Sequence, residues 1–116
     1  MIPEEVLAGV RLFNERRFFD AHEAWEDHWG KGASGERAAT LGLIKAAVAL
    51  HHLEAQNPAG FAWQAAEAVK HLRAQSAVWP DLRLDALAEE LESLAAQVRF
   101  HGAPREPFVP PTLPAL

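Results

Sequence analysis

The sequence predicts an all-α fold, a single-domain helical bundle of about five helices with a proline-rich extended C-terminal tail. Apolar residues recur at helical spacing through most of the chain, and glycine, proline or capping residues separate these stretches. No stretch alternates long enough to indicate a sheet. A chain of 116 residues is one ordinary domain, and we assign the bundle to residues 1–102 and the tail to residues 103–116.

The first helix is predicted to start at Pro3, because proline suits a first helical position and apolar residues follow it at helical spacing. A break is expected near Phe18. The predicted helices run from Pro3 to Arg16 or Arg17, from Asp20 to Gly30, from Glu36 to Gln56, from Pro58 to about Val78, and from Asp85 to about Gly102.

The second helix opens with DAHE, which is typical of a capping box. Asp20 is expected to cap the helix, and Glu23 to reach back to the Asp20 N–H. Gly30 ends this helix, and three glycines in GKGASGE indicate a loop in which Ser34 can cap the next one.

The third helix is apolar on almost every side, which is typical of a central helix that others surround. Asn57 is predicted to cap the fourth helix, which begins with Pro58. The fourth helix is rich in alanine, so neighbouring backbones can approach it closely. Trp63 is predicted on the side opposite Phe61, about 200° away. The inward stripe consists of Phe61, Ala65, Ala68 and Leu72.

The fifth helix follows a break at WPDLRL, where Pro80 disfavours a helical conformation of the preceding residue. Asp85 can cap it, and it is expected to end near Gly102. The remaining APREPFVPPTLPAL contains five prolines, so this segment is expected to be extended, much of it in polyproline II geometry.

Composition excludes several functional classes. With no cysteine, the chain can form neither disulfides nor thiolate metal sites. The net charge of −5 argues against a nucleic-acid partner, because phosphate binding requires clustered lysine and arginine. No apolar run is long enough to span a membrane, and MIPEEVLAGV does not have the pattern of a secretory signal. We therefore expect a soluble, cytoplasmic protein.

A polar cluster is predicted between the second and third helices. At 100° per residue, His22 and Glu26 share a face with the two tryptophans of the second helix. Lys45 and His52 lie in an apolar stripe of the third helix. Consecutive helices usually pack antiparallel, so these four side chains are expected to converge, whereas Glu23 serves the cap or meets water.

Three interpretations of this cluster are open. A structural polar network would pair Glu26 with Lys45 or an imidazole, in a protein with a binding or interaction role. Alternatively, His22, Glu26 and His52 are candidate ligands of a divalent metal ion in a hydrolase, although the ammonium of Lys45 would repel that ion. The third interpretation is a metal-free hydrolase with Glu26 and His52 as acid and base.

The remaining histidines and Trp63 are expected to have other roles. His51 is expected to be packed or half exposed. An outward Trp63 indicates cover by the tail or a protein interface, and we expect a homodimer. Surface or helix-end positions are predicted for His28, His71 and His101.

Part of this pattern resembles a known family. The first group of matching residues is Phe13, Asn14, Phe18, Phe19, Ala21, His22, Glu23, Glu26 and Trp29. The second group is Gly42, Leu43, Ile44, His52, Asn57 and Gly60. They match the pattern FFEAHE..E..W, with FN before it and GLIQ.A.....H and GN..G after it, and on these residues the chain is similar to the family called domain of unknown function 309.

The resemblance covers residues 12–60, about half of the chain. It implies an all-helical bundle without an assigned activity. This chain departs from the family pattern at Asp20, Lys45 and Gln56, where glutamate, glutamine and glycine are expected.

Overall fold

Five α-helices follow one another along the chain, and a computed structural model describes residues 1–104 and 108–116. The helices are α1 (Glu4–Asn14), α2 (Phe18–Trp29), α3 (Ser34–Glu54), α4 (Pro58–Ala74) and α5 (Leu84–His101), and a short 3₁₀ helix spans Pro80–Leu82. Each α-helix packs on the next, and the contacts of α3 with α4 are the most extensive. The predicted all-α fold of five helices is confirmed.

The pairing of α1 with α2 depends on one indole. The Trp25 side chain is fully buried, and its Nε1–H donates a hydrogen bond of 3.0 Å to the Val6 carbonyl of α1. Gly9 provides the space for this contact, because a Cβ there would lie 2.1 Å from Trp25 Nε1. The T-shaped contact of Phe13 with Phe18, with ring centroids 5.3 Å apart, completes the seam.

The pairing of α3 with α4 depends on a close backbone approach. A Cβ at Gly42 would lie 3.0 Å from Leu72 Cδ2 and 3.1 Å from His71 Cβ, so glycine lets the two helices touch. The inward stripe of α4 is buried as predicted: Phe61, Ala65, Ala68 and Leu72.

The predicted starts of α2, α3 and α5 are wrong. The α3 helix begins at Ser34, two residues before the predicted Glu36. The α2 helix begins at Phe18, two residues before Asp20, because burial of Phe18 brings it into the helix. Asp20 therefore lies within the first turn and accepts a hydrogen bond from Arg17 instead of capping. The α5 helix begins at Leu84, and Asp85 accepts a hydrogen bond from the Ala86 N–H inside the helix.

The predicted cap of α4 is confirmed. Asn57 is its N-cap, the side chain accepts a hydrogen bond of 3.0 Å from the Gly60 N–H, and Pro58 is the first helical residue. Ser34 begins α3 but makes no capping hydrogen bond, so its predicted role is wrong. Gly30 follows the last residue of α2, as predicted.

The tail packs on the bundle without regular secondary structure over residues 108–116. Pro111 and Leu113 are buried, whereas Val109 is exposed. The part of the predicted tail at residues 105–107 lies outside the described residues. Within the described ranges, no helix is both long and apolar enough to cross a bilayer.

Replacing Gly9 with alanine is expected to lower the free energy of unfolding by about 1 to 3 kcal/mol, because the new methyl group would displace the Trp25 indole. This loss would exceed the roughly 1 kcal/mol that alanine gains over glycine as a helix former. Urea denaturation followed by tryptophan fluorescence measures the change.

Gly30→Ala is the matched control, since nothing lies within 4 Å of a Cβ at that position. It should change the free energy of unfolding by less than about 0.5 kcal/mol. Equal stabilities of the two variants would show that the indole is not seated on Gly9.

Candidate functional site

The rotation of α2 about its axis decides which motif side chains reach solvent. The buried residues of this helix are Phe18, Ala21, Trp25 and His28. The face opposite α1 and α3 is therefore polar, and His22 lies at its edge with 17% of its side chain exposed. Glu26, predicted to be buried with the tryptophans, is 56% exposed, so that prediction is wrong.

His22 is held from both ring nitrogens. Its Nδ1 lies 2.6 Å from the Phe19 carbonyl oxygen, which can only accept, so Nδ1 carries a proton and donates. Its Nε2 lies 3.4 Å from Oε1 of Glu26. A second proton on Nε2 would point at this carboxylate, so the pair can hold a proton between imidazole and acid at the protein surface.

A row of aromatic rings connects α2 to α3 beside this pair. The Phe19 ring centroid lies 4.9 Å from that of His22 and 5.7 Å from that of His51. His51 and His52 are 6.5 Å apart between centroids. Phe19 is 52% exposed, which makes the row an accessible apolar and imidazole surface. We call these four residues the ring row.

His52 is oriented by the α3–α4 junction. The Asn57 carboxamide oxygen accepts from the Gly60 N–H, so its Nδ2 faces His52 Nδ1 at 3.2 Å and donates to it. Nδ1 of His52 is therefore an acceptor, and the neutral ring carries its proton on Nε2. A Cβ at Gly60 would lie 2.9 Å from the His52 ring and 2.7 Å from Asn57, so glycine is required there.

The structure does not assemble the predicted ligand set. In the described part of the chain, no three or more histidine and acidic side chains are arranged to hold a metal ion. His22 and Glu26 face each other, whereas His52 faces Asn57. The three candidate ligands are therefore not grouped in the described residues.

Of the two partners predicted for Glu26, an imidazole is observed, that of His22. Lys45 is half-buried, and within residues 1–104 and 108–116 it makes no ion pair shorter than 4.0 Å. Glu23 is exposed, as expected for a residue outside the cluster. The functional roles predicted for the cluster stay predictions; its residues are His22, Glu26, Lys45 and His52.

His28, predicted to be at the surface, is 7% exposed and lies where α1, α2 and α3 meet. Its Nδ1 is 3.4 Å from Oε2 of Glu5, and its Nε2 is 3.7 Å from Oε1 of Glu36. Nε2 makes no hydrogen bond in the described structure. With a carboxylate of α1 on one side and a carboxylate of α3 on the other, the His28 ring links three helices.

The spacing of His28 could have revealed its burial. It follows Phe18, Ala21 and Trp25 at steps of ten, seven and three, and these steps place all four residues on one helical face. A buried polar group so placed needs charged or hydrogen-bonding partners from neighbouring helices.

A groove between α4 and α5 is a second candidate site, which the sequence did not indicate. It has a volume of about 700 Å³. Its walls are mainly alanine, valine and leucine, with Glu92 and Arg99 on the α5 side. Trp63 is 67% exposed, and its helical spacing from Ala59 and Ala66 places it at the α4 edge of this groove.

An ion pair lies at the rim of this groove. Arg73 of α4 donates a hydrogen bond to Glu92 of α5. This hydrogen bond lowers the pKa of Glu92 and raises the pKa of Arg73, so the pair stays ionised near neutral pH. Both groups are in solvent, so the pair adds polarity to the rim without fixing the helices.

Comparison with known proteins identifies the region that carries the motif. The model of the family described as Domain of unknown function (DUF309) matches residues 6–64, which span α1 to the first turns of α4. The uncharacterized protein YpuF of Bacillus subtilis (strain 168) is 32% identical over 104 residues, which cover 87% of this chain and 60% of that protein. This chain thus spans less than two thirds of that relative. No solved structure matches this chain.

The hydrogen bonds of His22 and His52 predict opposite tautomers. At a pH where both rings are neutral, ¹⁵N chemical shifts should place the proton of His22 on Nδ1 and that of His52 on Nε2. Asn57→Ala removes the donor to His52, so His52 should become a mixture of tautomers while His22 stays unchanged. The same tautomer at both residues in the unaltered protein would contradict the geometry.

Proposed function

This chain belongs to the DUF309 family, whose function is unknown, and we propose that it is a helical interaction module that associates with a second copy of itself through the α4–α5 groove. The observation that supports this most directly is the exposure of Trp63 beside the groove.

Trp63 has no cover within the described chain. Leaving such a side chain in water forgoes on the order of 2 kcal/mol of apolar transfer energy. The tail was the first alternative, but residues 108–116 pack elsewhere, with Asn14 bound to Leu113. Cover by a protein partner is the remaining alternative.

The groove beside Trp63 is large enough to receive an aromatic side chain. Its volume of about 700 Å³ lies in the range of ligand pockets. The small side chains of Ala62 and Ala66 let a partner approach the α4 backbone. Arg99 at the rim can stack its guanidinium on an indole that enters, a contact that tryptophan favours more than other rings.

Trp63 and the groove are neighbours on one surface. A two-fold interface requires a self-complementary patch, in which each copy supplies both the projecting group and its receptor. Trp63 of each copy would then occupy the groove of the other, in a desolvated centre of the kind that dominates binding energies. This is the feature that favours a second copy as the partner.

Sedimentation equilibrium should show a concentration-dependent dimer that Trp63→Ala weakens by at least about thirtyfold in Kd, because a central aromatic anchor contributes about 2 kcal/mol or more. Ala66→Glu should weaken the dimer similarly by placing a carboxylate in the groove. Phe100→Ala, an exposed aromatic on α5 that does not line the groove, is the matched control and should leave Kd unchanged. A monomer at the highest soluble concentration would contradict the proposal.

A second candidate function is metal-free acid–base catalysis at His22 and Glu26. The supporting observation is the pairing of Nε2 with the carboxylate while Nδ1 is fixed by the Phe19 carbonyl. The ring row beside it offers an apolar surface for an acyl or aromatic substrate.

An activated ester such as p-nitrophenyl acetate tests this second function. Hydrolysis should fall about tenfold or more in His22→Ala and in Glu26→Gln, within the usual contribution of a general base. His101→Ala, an exposed histidine at the end of α5, should leave the rate unchanged. Equal rates in all three variants would exclude catalysis by this pair.

A further inference from the structure

The tail is bound to the bundle chiefly through its own main chain. The carboxamide of Asn14 makes two hydrogen bonds to Leu113: Nδ2 donates to the carbonyl at 2.8 Å, and Oδ1 accepts from the N–H at 2.8 Å. This pair of hydrogen bonds recognises an extended backbone, because it satisfies the N–H and the carbonyl of one residue as a neighbouring strand does. The side chain of Leu113 is buried at the same point.

Two further side chains donate to tail carbonyls. Arg16 Nη1 donates to the Phe108 carbonyl at 2.6 Å, and its guanidinium lies 5.1 Å from the centroid of the Phe108 ring. Glu54 fixes that guanidinium from α3 at 3.2 Å. Gln56 Nε2 donates to the Pro104 carbonyl at 2.8 Å.

Backbone strain is concentrated around the tail. The non-glycine residues with positive φ in the described chain are Arg16 at 65°, Gln56 at 61° and Arg83 at 52°. Arg16 and Gln56 hold the tail, and Arg83 lines the hollow that also contains Leu113. A non-glycine residue in this conformation is strained, and such residues cluster at binding sites.

Four residues, Asn14, Arg16, Gln56 and Arg83, define what we call the tail groove. Gln56 binds Pro104, and the other three adjoin residues 108–116. We infer that the tail groove is a recognition site for an extended, proline-rich peptide, which residues 108–116 occupy in cis and which the same kind of segment from another chain can occupy in trans. This inference is independent of the proposed dimer, because the tail groove and the α4–α5 groove have no lining residue in common.

The chemistry of the tail identifies the ligand class. Prolines at 110, 111 and 114 favour polyproline II geometry, so little entropy is lost when the segment binds. Asn14 and Arg16 contact main-chain groups of residues 108–116, which any segment of the same geometry presents. The buried Leu113 and the Phe108 ring on Arg16 supply the side-chain selectivity.

Exchange between cis and trans segments is expected from the size of the contact. The net contribution of one hydrogen bond to stability is small, so a few of them hold the tail reversibly. The cis tail benefits from a high effective concentration, and a peptide in solution must compete with it. Weakening the cis tail without altering the tail groove should therefore expose the site.

The test uses a fluorescent peptide of the sequence FVPPTLPAL, which is residues 108–116, and measures its anisotropy with the full-length chain. Leu113→Asp should release the cis tail, because a carboxylate cannot remain unpaired in that buried position. The variant should bind the peptide at least about tenfold more tightly than the unaltered chain does. Adding Asn14→Ala to this variant should abolish the gain.

Two controls define specificity. Gln97→Ala, an exposed amide on α5, should leave the affinity of the Leu113→Asp chain within twofold. A second peptide with aspartate at the position of Leu113 should not bind. Helical circular dichroism verifies that each variant is folded, and Phe108→Ala replaces Leu113→Asp if the latter loses its helices.

Two results would overturn the inference. If the folded Leu113→Asp and Phe108→Ala chains bind no peptide, the tail is a permanent part of the fold. If both peptides bind equally, or if Asn14→Ala has no effect, the interaction is unspecific apolar adhesion.

Discussion

The seating of Trp25 over Gly9 is the constraint on which the rest of the structure depends. A fully buried indole whose N–H must reach the Val6 carbonyl has few acceptable positions, and glycine in α1 provides one of them. Once Trp25 is placed, the rotation of α2 is fixed for every other side chain of that helix. His28 is turned into the junction of three helices, and His22 and Glu26 are turned towards solvent.

This rotation explains which part of the motif could be predicted. The arrangement of helices follows from proline, glycine and apolar spacing, which are local signals. The helical spacing of 100° per residue also placed His22 and Glu26 correctly on one face, and their side chains do pair. Helical spacing alone gives Trp25 and Trp29 equal weight, which puts the centre of the buried face of α2 in the wrong place. Trp29 remains partly exposed, and its ring lies 4.8 Å from the Arg37 guanidinium. Which of the two indoles packs on a glycine of another helix depends on tertiary contacts, so the spacing within α2 cannot predict it.

The helix junctions were the least predictable feature, because three of them use residues that sequence rules do not place in a left-handed conformation. Gln56 occupies a position where the family pattern has glycine, the residue that adopts a positive φ without strain. In this chain the position carries a side chain that binds the Pro104 carbonyl. With Gln56 at this position, α3 still ends and the tail gains a contact. The structure therefore gives a reason for glutamine at this position, which sequence alone could not give.

The α3–α4 junction links the ring row to the tail groove. Gln56, which holds the tail, lies between His52 and Asn57 in the chain, and the Asn57 N–H donates to the His52 carbonyl at 2.9 Å. On the other side, Arg16 holds the tail and precedes Phe19 by three residues. The two surfaces are therefore continuous through short, strained segments of backbone.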